Sequence, residues 1–303
     1  MREPTLLTAV ALVLIAGPLL LGVAGMMSAR PATEGGSRAR APWNWRLSIV
    51  AGLLYAIAFN LTFFIQELFL VLPKALVPGL HPTLFHNNHR WEGSNPLAYL
   101  FQGTGALAIV ATGTVCALLL RYARTRSITV RLFLIWMTYH GFFLSLPQVV
   151  VAAFLPGNDV GLALDYLHVG ATGKSVLALF ALGAMPLIAL SLRRPILSLA
   201  THTRQLDGGA ARSLFLFQTA TAPALAAILL IIPFRIPRDM IEVVVLPVVV
   251  TVIGIAWLQA GAWRVSGVKA NQQYTVPLAG PAIGLLLLLM VFQLVLRPGI
   301  QFF

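Results

Sequence analysis

The sequence predicts an all-α fold, a polytopic membrane bundle of about eight transmembrane helices. Three observations point there. The chain of 303 residues is 58% hydrophobic and only 10% charged, whereas a soluble domain carries about 25% charged residues. Its mean hydropathy is +0.86. Its apolar residues also collect into runs long enough for the ~20 residues that one spanning helix requires.

Taken in order, the runs cover approximately 5–28, 47–72, 96–120, 129–155, 173–192, 213–234, 241–263 and 275–296. The first has a leader-like edge, with Arg2 ahead of it and small Ser28-Ala29 behind. It is longer than the apolar core of a secretory leader, so an uncleaved anchor is expected. Residues 29–45 are polar, basic and bear Gly, Pro and Ser. Residues 1–45 therefore read as an anchor and linker, and 46–303 as the polytopic domain.

Orientation follows from the lysines and arginines of the short loops. The odd loops carry Arg30, Arg38, Arg40 and Arg46, then Arg121, Arg124, Arg126 and Arg131, then Arg193, Arg194, Arg204 and Arg212, and finally Arg264 and Lys269. The even loops hold fewer. The odd loops are expected in the cytoplasm and both termini outside it, in an inner (plasma) membrane. Trp43, Trp45, Trp91 and Trp263 fall where aromatic belts sit. The net charge of +12 lies in these loops, where it meets lipid headgroups. The expected partner is thus the bilayer and not nucleic acid. Cys116 lies inside an apolar run, so neither a disulfide nor a cysteine metal cluster is expected.

The stretch from Asn60 to Gly93, NLTFFIQELFLVLPKALVPGLHPTLFHNNHRWEG, carries the densest chemistry. Glu67 is a carboxylate deep in an apolar run; such groups face the bundle interior and have a partner. Lys74, seven residues on, shares its helical face. A Glu67–Lys74 pair and a catalytic or proton-carrying Glu67 both fit. His81, His86 and His89 follow in a loop. Imidazoles with a nearby carboxylate suit zinc or iron, and His86 and His89 are the metal-ligand candidates; helix capping or headgroup contact is the other reading. The same topology brings the fourth loop, LPGNDVGLALDYLHVG, to the same side. Asp159 is then a third metal ligand or a helix cap, and Asp165 and His168 share one face of a short helix. His140 is an ionisable group within the fourth span and a candidate by its place. Gln148, Gln218, Gln259 and Gln293 read as interhelical hydrogen-bonding groups. GTGALAIVATG, from Gly103, supplies close-packing residues and not a phosphate loop, having no GxxxxGK[ST].

Phe64 to about Leu167 resembles the site-2-protease class of intramembrane zinc peptidases. The resemblance lies in Gln66-Glu67-Leu68-Phe69-Leu70, which stands where that class has HExxH, followed by the small-residue segment, a basic turn, RLFLIWMTYHGFF and the PGNDV segment. It implies that Glu67 corresponds to the water-activating Glu and Asp159 to the later acidic ligand. Gln66 and Leu70 replace both motif histidines, which implies a lost peptidase activity or a site rebuilt from His86 and His89. The expected function is therefore a polar, metal-binding or peptidase-like site at the non-cytoplasmic side, built from Glu67, His86, His89 and Asp159. A proton-coupled transporter using Glu67 and His140, and a non-catalytic scaffold, are the alternatives.

Overall fold

The computed structural model describes residues 3–28, 43–122, 127–155, 157–270 and 275–302. Most of the basic linker, with Arg30, Arg38 and Arg40, lies outside the described residues, as do Arg124, Arg126 and Pro156. Eight helices are long and apolar enough to cross a membrane: α1 (Pro4–Ser28), α2 (Trp45–Ala75), α3 (Leu97–Tyr122), α4 (Ile128–Val151), α6 (Ala171–Leu197), α7 (Gly208–Arg235), α8 (Ile241–Arg264) and α9 (Ala279–Leu296). A short helix, α5 (Asp159–Tyr166), joins α4 to α6. Strands β1 (His81–Leu84) and β2 (His89–Glu92) form a hairpin between α2 and α3, and β3 (Ile300–Gln301) follows α9. This is an all-α multi-pass membrane protein with a small sheet at one end.

The helices start where side chains satisfy their free N–H groups. Asn44 accepts from the Leu47 N–H, Ser127 from that of Val130 and Asn158 from that of Gly161. The fourth span stops at Val151, short of the expected 155, and a turn leads into α5. The second runs on to Ala75 through Pro73. A proline there leaves the carbonyl four residues earlier without its helical donor. Thr104 Oγ1 supplies one, bonding the Phe69 carbonyl at 2.6 Å.

Prolines also explain the widened turns. Leu12–Ala16, Phe217–Thr221, Ile241–Val245 and Val291–Leu296 are π-helical. Each ends two residues before a proline, namely Pro18, Pro223, Pro247 and Pro298. A proline ring crowds the carbonyl four residues earlier and offers no N–H. The residue before it reaches five back instead: Gly17 to Leu12, Ala222 to Phe217, Leu246 to Ile241 and Arg297 to Phe292.

α2 and α4 form the centre of the bundle, while α1 turns Leu19, Leu20 and Met27 outward. α3 lies against α4 where Gly113 faces Gly141: a Cβ on Gly141 would stand 2.6 Å from the Gly113 Cα. Only glycine permits that approach. Several polar groups between helices are paired, as expected for spans in lipid. Tyr139 Oη donates to the Val250 and Thr251 carbonyls at 2.9 and 2.8 Å, and Gln148 Nε2 to Gln66 Oε1 at 2.9 Å. Gln259 meets Thr221 Oγ1 at 2.6 Å, and Gln293 Nε2 bonds the Pro233 carbonyl at 2.7 Å. At Gln218 the carbonyl, taken by Ser48 Oγ at 2.7 Å, makes the contact.

The sheet order is β2-β1-β3, antiparallel throughout. Leu84 pairs with His89 across the hairpin and with Ile300 on its other side. The Phe302 N–H continues the ladder to the Pro82 carbonyl. The second loop, the fourth loop, the sixth loop and the segment after α9 thus gather at one end. At the opposite end Arg131 reaches Ser198, Arg193 reaches the Gly261 carbonyl and Arg212 that of Trp263.

Candidate functional site

Beneath the hairpin, α2 presents Glu67 and Lys74, both buried on the same face. β2 carries His89 and Trp91 over them, and the second turn of α3 adds buried Gln102. His89 Nδ1 meets Glu67 Oε2 at 2.8 Å, with both side chains almost wholly enclosed. Its other ring nitrogen, Nε2, meets Gln102 Oε1 at 3.1 Å. Lys74 Nζ donates to the same Gln102 oxygen at 3.2 Å and lies 4.4 Å from the centre of the Trp91 ring. The expected contact between Glu67 and Lys74 is therefore replaced by a chain running through His89 and Gln102.

That chain fixes protons. An ammonium group has no acceptor, so Lys74 holds the Gln102 amide with its oxygen toward Lys74 and His89. His89 Nε2 must then be the donor to that oxygen. Its Nδ1 faces Glu67 Oε2 at 2.8 Å, so one hydrogen bond joins the two side chains. The arrangement gives each ring nitrogen of His89 a partner.

Asp159 approaches from the fourth loop. Asn158, and not Asp159, caps α5, which leaves the Asp159 carboxyl free to feel the cluster. Burial pushes its carboxyl above the usual aspartate range, and Glu67 adds to this; His89 and Lys74 oppose it. Asn158 Nδ2 also bonds the Gln148 carbonyl at 3.1 Å, fixing the loop onto α4.

The remaining candidates separate. His86 is buried on the other side of the hairpin, where burial first, and then Arg297, Arg235 and Arg238, push its imidazole below the usual histidine range. Its neighbour Asn87 donates to the Arg235 carbonyl at 2.7 Å. Arg235 is itself buried, 4.3 Å from the Phe63 ring, and donates to the Glu242 carbonyl at 2.6 Å. His81 is exposed at the start of β1. Asp165 pairs with Lys174 at 2.6 Å. His168 falls beyond the end of α5 with φ 56° and does not share its face. His140 sits deep in the bundle among Tyr55, Tyr139 and Phe59, whose rings are 4.4, 5.2 and 5.3 Å away.

Among the described residues no three His, Cys, Asp or Glu side chains converge as metal ligands. A zinc or iron ion at His89 would have to displace Glu67 or Gln102 from the ring. The second and fourth loops do come to the same end, as the alternating topology predicts, and Asp159 feels the charges of Glu67 and His89 there. Gln102 and Trp91 were hidden in the sequence: one reads as the edge of an apolar run, the other as an interfacial aromatic. Arg235 reads as a loop charge, and nothing local distinguishes it from Arg238.

No family model, curated protein or solved structure matches this chain.

Proposed function

We propose that this multi-pass protein carries an acid–base site at its non-cytoplasmic side, with Glu67 and His89 as the working pair. The observation that supports this reading is the 2.8 Å contact between the enclosed His89 Nδ1 and Glu67 Oε2, with Gln102 and Lys74 behind the ring. General acid–base catalysis needs side chains within hydrogen-bond reach of one another and of the proton to be moved. In this reading Glu67 removes a proton from a nucleophile, His89 spreads the charge and Asp159 exchanges the proton with the outside. Gln102 keeps the imidazole in one orientation. The reaction class is hydrolytic, in keeping with the peptidase-like resemblance of the Gln66–Leu70 segment, in which Glu67 alone of the chemical positions is kept.

A proton-coupled transporter is the second reading, favoured by one observation. Glu67, Lys74 and Arg235 are all buried charged residues in spans at this end, and intramembrane ionisable groups mark proton paths. One experiment separates the two. The purified full chain is assayed against p-nitrophenyl esters and fluorogenic peptides, and in liposomes loaded with a pH-sensitive dye. Turnover lost in Glu67→Gln and His89→Ala but kept in His140→Phe supports hydrolysis. Proton flux lost in the same variants, without turnover, supports transport. Turnover or flux that survives both substitutions overturns the site.

A further inference from the structure

The two ends of the bundle differ in charge. At the end bearing the hairpin, Lys74, Arg90, Lys174, Arg235, Arg238 and Arg297 are matched by Glu67, Glu92, Asp159, Asp165, Asp239 and Glu242. At the opposite end Arg46 opens α2, Arg121 closes α3, Arg131 begins α4 and Arg193 and Arg194 close α6. Arg204 and Arg212 flank the start of α7, and Arg264 and Lys269 follow α8. Against them stands one acidic residue among the described residues, Asp207.

Four of these arginines gather around the segment 261–267. Arg193 donates through Nη1 to the Gly261 carbonyl and through Nε to that of Leu190, the latter at 2.7 Å. Arg212 Nη2 donates to the Trp263 carbonyl at 3.0 Å. The Arg264 guanidinium lies 5.8 Å from the Trp263 ring centre, and a Cβ on Gly267 would stand 3.8 Å from Arg194 Nη2. Arg193 and Arg264 are close enough to repel each other. The hydrogen bonds of Arg193 and Arg212 go to neutral carbonyls, which occupy donors without neutralising charge. Arg212 Nε is buried and unpartnered. Trp263 is fixed through Nε1 to the Leu21 carbonyl at 3.2 Å, so the indole is a rigid shelf beside the guanidinium groups. A fork of guanidinium donors is the geometry that receives phosphate oxygens, and a Trp beside it belongs at the headgroup level.

We propose that this end holds the phosphate headgroup of an anionic phospholipid, with Arg193 and Arg264 as the donors, Arg194 and Arg212 as flanking charges and Trp263 as the shelf. The site takes its ligand from the leaflet and not from solution. The site is independent of Glu67 and His89, which lie at the other end.

The test uses the purified full chain in neutral detergent micelles doped with phosphatidylglycerol or with phosphatidylcholine. Thermal unfolding and native mass spectrometry read the retained lipid. Phosphatidylglycerol should raise the melting temperature and survive as a bound adduct, whereas phosphatidylcholine should do neither. Arg193→Gln/Arg264→Gln should weaken the phosphatidylglycerol effect by about tenfold or more, two cationic contacts being lost. Arg90→Gln, at the other end, should keep it. Where the double variant does not fold, Arg264→Gln alone serves, because this exposed side chain carries no backbone hydrogen bond. Equal stabilisation by phosphatidylcholine, or an unchanged response in the arginine variants, overturns the proposal. Inorganic phosphate reproducing the whole shift assigns the site to a soluble anion and overturns the lipid assignment.

Discussion

Removing the imidazole from beneath the hairpin should expose how much the Glu67–His89 contact contributes. His89→Ala leaves Glu67 buried, 4% exposed, without its 2.8 Å partner. Breaking a buried charged pair by deleting one partner costs about 3–5 kcal/mol, because the survivor stays desolvated and unpaired. Glu67→Gln keeps a hydrogen-bonding group of the same shape and gives up only the charge assistance, about 1–2 kcal/mol. In the double variant no carboxylate remains to be stranded, so its cost should fall below the sum of the two by about 1–3 kcal/mol. Reversible unfolding in mixed micelles, driven by a rising fraction of anionic detergent, measures all three. A cost for His89→Ala below about 1 kcal/mol, or additivity within about 0.5 kcal/mol, would refute the coupling of Glu67 to His89.

Three further outcomes are expected. The Asp159 carboxyl is raised in the folded state, so folding is favoured while it is protonated, and that contribution is lost as pH rises from 3.8 through the folded value. Asp159→Asn should remove this fall, seen as a flatter stability profile on the alkaline side of 3.8. The His86 imidazole is lowered, so its contribution is present above the ordinary value of 6.5 and is lost as pH falls below it; His86→Gln should make the protein less acid-sensitive in the same assay. Gly141→Ala would place a Cβ 2.6 Å from the Gly113 Cα and the Ile109 carbonyl. The two helices must separate, which should cost about 1–3 kcal/mol in thermal unfolding.

The spans were legible because lipid demands one property, apolar length, that a run of sequence displays directly. The helix ends were less so: α4 stops at Val151 because a turn and α5 follow, and α2 continues through Pro73 because a threonine on another helix satisfies the Phe69 carbonyl. Glu67 stood out as a carboxylate in an apolar run, and alternation of loops brought Asp159 to its side. What sits between them did not stand out. His89 was grouped with His86 by spacing, but a β-hairpin turns the two residues toward different neighbours, Glu67 on one side and Arg235 on the other. Gln102 gives no local signal, because its role comes from two groups that are distant in sequence. Capping by Asn158 in place of Asp159 was a choice between adjacent residues of equal propensity.

The order of the small sheet sets a constraint on biogenesis. β1 is its middle strand, and its second neighbour, β3, comes from beyond the eighth span. While the ribosome is still feeding spans into the bilayer, the hairpin over Glu67 has one edge open, with its Thr83 and Leu84 backbone groups unpaired. Only when the last span has been delivered can Ile300 and Gln301 zip along that edge. A nascent chain of this kind thus carries Glu67 and His89 under an unfinished roof, which closes only when β3 arrives.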